Sequence, residues 1–210
     1  MADKPSEVWL RTDEIMEMIG AIEHSREIAP TVCGDVMRWK WLIIALHNAL
    51  QGACVCALRG AGASDAAVLS SASAKAWWKW LDVDSRNDNS LAPKDARWLA
   101  RMLELYDRAK SPAYLQEPHR LQPHAQMDCD VKKLNDLRND FLHFVPEGWS
   151  LDVSGMPRIV RNCCEAFEHL AVKQPTFLRH LDDAKSARIA TAISGIRDAM
   201  DAWDGQWARS

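Results

Sequence analysis

The chain has no CxxC pair and no spaced set of cysteines and histidines, although it holds six cysteines, Cys33, Cys54, Cys56, Cys129, Cys163 and Cys164. Cys54 and Cys56 diverge on a helix, and the neighbours Cys163 and Cys164 make a poor chelate. The thiols are therefore expected to be free and mostly in the core, with no metal and no cofactor. No apolar secretory leader opens the chain, and with unpaired thiols this gives the expectation of a reducing, cytoplasmic setting. An excess of charge of one sign is also lacking. A formal net charge of −3 and a pI near 6.2 give no general attraction to nucleic acid or anionic membrane, so a polyanion would need a local basic patch. No segment alternates apolar and polar residues between hairpin turns for long enough to make a sheet, and no internal repeat is visible.

What the chain does have is apolar residues at helical spacing. Its 210 residues, 48% of them hydrophobic, suffice for a core, and one domain spanning 1–210 is expected, with 1–9 as a loose leader. Thr12 can cap a first helix carrying Ile15, Met18, Ile19 and Ile22 on one face, with Pro30 as its break. Thr31 to Gly60 is the longest apolar segment and the expected central helix. His47, Asn48 and Gln51 interrupt it, which disfavours a membrane span and obliges a buried helix to find them partners.

Further helices are expected over Asp65–Leu81, with Leu69, Ala72, Ala76 and Trp80 in register, and from Pro93 to just before Pro112, with Trp98, Met102 and Tyr106 on one face. The polar run Asp82–Ser90 between them reads as a mobile surface loop. After an irregular stretch around Pro118 and Pro123, Asp128 or Asp130 is the expected cap of the next helix. A short extended arm at Trp149, Leu151 and Val153 then leads to a helix from Pro157 that stops before Pro175. A last helix, Asp183–Trp203, has the cleanest period. The fold class expected is all-α, an up-and-down bundle of about six to seven helices, with the ten tryptophans as core and interface anchors.

The most informative stretch is VKKLNDLRNDFLHFV, Val131–Val145. At about 100° per residue, Val131, Leu134, Leu137, Phe141, Leu142 and Val145 form one apolar stripe, and Arg138 falls inside it. Asn139 and His143, at i and i+4, lie on the polar side, where the amide could orient the imidazole. An arginine aimed at apolar surface is costly unless an anion meets it, whether a carboxylate such as Glu165 or Glu168 or a phosphate from outside.

Arg138-Asn139-Asp140-Phe141-Leu142-His143 resembles the R-x4-H signature of the HEPN (higher eukaryotes and prokaryotes nucleotide-binding) superfamily, including the polar residue after the arginine. The long earlier helix with His47, Asn48 and Gln51 is similar to that family's core helix, while the flanking helices fit only by number and length. The resemblance implies a helical bundle that pairs as a homodimer. It also implies metal-independent endoribonuclease activity of a toxin–antitoxin or phage-defence type, and restraint by an antitoxin-like protein partner. It makes Arg138, His143 and Asn139 the catalytic residues, with His47, Asn48 and Gln51 as supporting cleft residues. The chemistry agrees with these residue types: histidine moves protons near neutral pH, and the arginine fork fits phosphate oxygens in a way lysine cannot. Arg138 and His143 stand about 140° apart on one helix, so a cleft shared between two subunits would bring them to one phosphate more easily.

Two other readings stay open. Arg138 can pair with a core carboxylate while His143 caps its own helix, and the cleft can belong to a non-catalytic module that binds a nucleotide or a protein. His47 and Gln51 can equally be satisfied polar groups of the core, and His119 and His124 lie in a proline-rich stretch with no metal-like framework.

Overall fold

The computed structural model describes residues 9–60, 65–82, 98–143, 148, 150–172 and 181–207. Residues 1–8, most of the stretch read as a leader, lie outside the described residues, as do Pro93, Trp149 and the polar run from 83 onward. Among the described residues are seven α-helices and no strand: α1 Glu14–Ile28, α2 Arg38–Gly60, α3 Ser71–Asp82, α4 Met102–Lys110, α5 Ala125–Leu142, α6 Met156–Val172 and α7 Asp183–Trp207. The fold is an all-α bundle.

Helix α2 is its axis, packing against α1, α4, α5 and α6, while α7 closes the far side on α1 and α6. Leu42, Ile43, Leu46, Ala49, Leu50, Ala53, Cys54, Ala57 and Leu58 are all fully buried along it, which is why it reads as apolar nearly all round. Its Arg38–Arg59 stretch is long and apolar enough to cross a membrane, but 72% of its apolar window is buried inside the bundle. All six cysteines are free. Cys54, Cys56, Cys163 and Cys164 are in the core, where burial pushes each thiol up, to about 12 for Cys54, Cys56 and Cys164.

Several element boundaries differ from the sequence reading. Asp13, not Thr12, caps α1, its carboxylate accepting from the Met16 amide at 2.8 Å; a charged acceptor suits the helix dipole better than a hydroxyl does. Thr31 does not open α2, because Ala29–Cys33 forms a 3₁₀ turn with Pro30 at its start. The helix expected from Asp65 is split into a 3₁₀ turn, Asp65–Ala67, and α3 from Ser71. Trp98 and Leu99 are not helical. Ser70 donates to the Trp98 carbonyl at 2.8 Å and Ala100 to the Val68 carbonyl at 2.9 Å, so pairing with the 66–70 segment replaces a first helical turn and α4 starts at Met102. The buried Arg108 fixes this joint, donating through Nη1 to the carbonyls of Ala67 at 2.8 Å and Leu69 at 2.7 Å.

Neither Asp128 nor Asp130 caps α5. His124 does, accepting from the Met127 amide through Nδ1. Asp130 is one turn further in and 2% exposed, and its carboxylate accepts from Arg158 twice at 3.2 Å, from Asn162 at 2.6 Å and from Gln126 at 3.1 Å. A buried carboxylate is tolerated only with its lone pairs filled in this way, and the cluster locks α5 to α6.

Candidate functional site

One cleft gathers most of the residues singled out from the sequence. Its walls are α2 with His47 and Gln51, the start of α4 with residues 99–103, and α5 with Asn135, Arg138, Asn139 and His143; it encloses about 620 Å³. Among the described residues no carboxylate lines it, and the formal charges they bring are the two guanidinium groups of Arg101 and Arg138.

Arg138 is half-buried. Its Nη1 donates to Asn139 Oδ1 at 3.0 Å, its Nε is buried with no hydrogen-bond partner, and no described carboxylate pairs with it. The partners considered for it are committed elsewhere: Glu168 pairs with Arg197 at 2.7 Å, and Glu165 lines a separate recess beside Arg161 and Arg197. An unneutralised cation in a partly desolvated wall is costly, and a ligand anion would relieve it.

His143 is exposed at the rim as the C-cap residue of α5. Its own N–H donates to the Asn139 carbonyl at 2.9 Å, and its backbone has left the helix at φ −116° and ψ 33°. The angular separation does not keep the two residues apart: Arg138 and His143 flank Asn135 and Asn139 on the face of α5 that lines the cleft, so both belong to the same cleft of a single chain. Asn139 does not orient the imidazole as the i, i+4 spacing suggested. Its amide oxygen is held by Arg138.

His47 is only 3% exposed, and neither ring nitrogen has a hydrogen-bond partner. Burial first, and then the charge of Arg138, push its pKa down to about 4. The nearby amides of Asn135 and Asn48 oppose this weakly, so the ring is neutral at pH 7. Gln51 lines the cleft with it. Asn48 does not: it is exposed and faces a second groove between α1 and α2, lined also by Glu14, Glu17 and His24, which adjoins the cleft at Gln51 and Leu99. No group of three or more metal-ligating side chains occurs among the described residues.

Three contributors were absent from the sequence reading. Asn135 precedes Arg138 by three positions and Asn139 by four, so helical spacing alone could have found it. Arg101 and the N-terminus of α4 could not be found that way, because the local pattern favours an earlier helix start and only the pairing of residues 68–70 with 98–100 exposes this one. No protein-family model, curated protein or solved structure matches the chain.

Proposed function

We propose that the cleft binds RNA phosphate and that the protein is a HEPN-like, metal-independent endoribonuclease. The observation that carries this reading is Arg138, a half-buried guanidinium that no described carboxylate pairs with, in a cleft that no described carboxylate lines and that also holds His143. In such a cleavage a base takes the 2′-hydroxyl proton and the 2′-oxygen bonds to phosphorus. The P–O5′ bond then breaks, and an acid protonates the leaving oxygen. Arg138 suits the negative charge that builds on the phosphorane oxygens, and exposed His143 suits one of the two proton transfers.

Among the described residues His143 is the one exposed histidine of the cleft, which leaves the other transfer unassigned, and a second copy presenting its own His143 would supply it. A homodimer is therefore part of the proposal. A mostly apolar groove beside the end of α5, lined by Val36, Met37, Trp39, Phe141, Leu151 and Val153 together with Lys40, supports it. A toxin-like or phage-defence role, with an antitoxin-like protein holding the enzyme in check, belongs to the same proposal.

The test is cleavage of a broad RNA panel in EDTA, with end-group analysis. The expected products carry 2′,3′-cyclic phosphate and 5′-hydroxyl ends. His143→Ala should lose on the order of 10²- to 10⁴-fold in rate with RNA affinity nearly kept. Arg138→Ala should weaken both rate and affinity, and Arg138→Lys should restore little. Products ending in 3′-hydroxyl, or a rate abolished by EDTA, would sink the mechanism. A second reading, a non-catalytic nucleotide- or protein-binding module, is favoured by one observation: the Asn139 amide oxygen is held by Arg138 and not by the His143 ring. A folded protein that binds RNA and cuts none would leave that reading in place.

A further inference from the structure

The start of α4 carries an arrangement that the R-x4-H residues do not explain. The helix is nine residues long, and its N-terminus has no side-chain cap, so its first-turn N–H groups are left for solvent or a ligand. The residue at the N-cap position is Arg101, with extended backbone at φ −64° and ψ 152°. A cation there lies against the positive end of the helix dipole, where serine, threonine, aspartate or asparagine is the favoured residue. Arg101 makes no ion pair with any described residue, and it lines the cleft together with Met102 and Leu103. Sharing that cleft are Arg138, whose Nε has no partner, and the imidazole of His47, buried with neither nitrogen satisfied. Three sources of positive potential and a buried unpartnered ring thus border one space that no described carboxylate lines.

We propose that the N-terminus of α4, with Arg101, is a phosphate-binding site that faces Arg138 across the cleft. Backbone N–H groups at a helix start converge on an anion, and the dipole favours its charge. Arg101 adds a guanidinium that the anion would shield from that dipole. The site rests on the reading of the cleft as a phosphate site and adds to it a second contact, made by backbone, on the side opposite Arg138. Its ligand is a phosphate group, and it requires neither cleavage nor a particular base.

The test uses ¹H–¹⁵N correlation spectra of the full chain titrated with inorganic phosphate, which cannot be cleaved. The expected result is saturable shifts of the Met102, Leu103 and Glu104 amides. Arg101→Asp should abolish them, lowering phosphate affinity at least about tenfold, because the new carboxylate caps the same amides and repels the anion. The same substitution should raise the melting temperature by supplying the missing cap, which separates lost binding from lost folding. Phosphate that leaves these amides unmoved, or moves them equally in Arg101→Asp, overturns the proposal. The cleavage reading fails separately: amides that respond to phosphate in a protein that cuts no RNA keep this site and remove the nuclease.

Discussion

His47 shows most directly what the cleft costs the bundle. Its neutral ring is buried with two unsatisfied nitrogens, and protonating it means placing a charge near Arg138. Its folded pKa of about 4 lies below the ordinary histidine value of 6.5, so the unfolded chain takes up a proton first as pH falls. Stability should therefore hold above pH 6.5 and be lost between 6.5 and about 4, by roughly 3 kcal/mol from this residue alone. Urea denaturation of the wild type and of His47→Leu across that range measures the term as the difference in their slopes. Parallel slopes would show that His47 is not the acid-sensitive group. At pH 7 the leucine variant should be as stable as the parent or more so, because it removes two buried polar atoms without partners.

At the scale of elements, the contact between α1 and α2 depends on glycine. A Cβ on Gly52 would lie 2.9 Å from Met18 Cβ and 3.2 Å from its Cα, which only backbone movement could relieve. A Cβ on Gly20, in α1, would meet nothing within 4 Å. Gly52→Ala should thus lose about 1–3 kcal/mol to crowding, more than the gain of about 1 kcal/mol from helix propensity, whereas Gly20→Ala should keep that gain. Chemical denaturation of the two variants tests this, and a Gly52→Ala protein as stable as Gly20→Ala would refute the close approach. The long elements were legible in the sequence for a related reason: α2, α6 and α7 bury residues at the spacing that the apolar pattern shows, as with Ile159, Cys163, Phe167 and Leu170. The start of α4 was not legible. Trp98 continues the helical pattern of Met102 and Tyr106, but its carbonyl is engaged by Ser70, a pairing between residues distant in sequence that no local window contains. In the same way, Asp130 looked like a cap because acidic residues suit helix starts, and only the facing Arg158 and Asn162 show it to be a tie between helices. The candidate site was half legible. Spacing along α5 marks Arg138 and His143, while the opposing wall depends on which helix end faces them.

For the molecule as a whole, the proposed pairing of two copies makes a concentration-dependent expectation. Light scattering at micromolar concentration should give twice the chain mass of 23.7 kDa, and Met37→Glu, a charge placed on the exposed rim of the apolar groove near Phe141, should return it to the monomer. Cleavage, if it needs a proton carrier from each chain, should fall with the dimer fraction. A wild type that scatters as a monomer while cutting RNA at full rate would remove the two-copy mechanism and leave the cleft of a single chain to account for it.

The passage from the cleft into the groove between α1 and α2 bears on how a long ligand can lie. Past Gln51 and Leu99 the lining changes from two arginines to Glu14 and Glu17, of which Glu14 is paired with Arg59 while Glu17 has no described partner. A strand of phosphates following that route would leave an attractive potential and meet a repulsive one within the span of a few side chains. For a uniform polyanion the groove between α1 and α2 is thus the less favourable continuation of the cleft. A molecule whose own charge changes sign along its length would match both compartments at once.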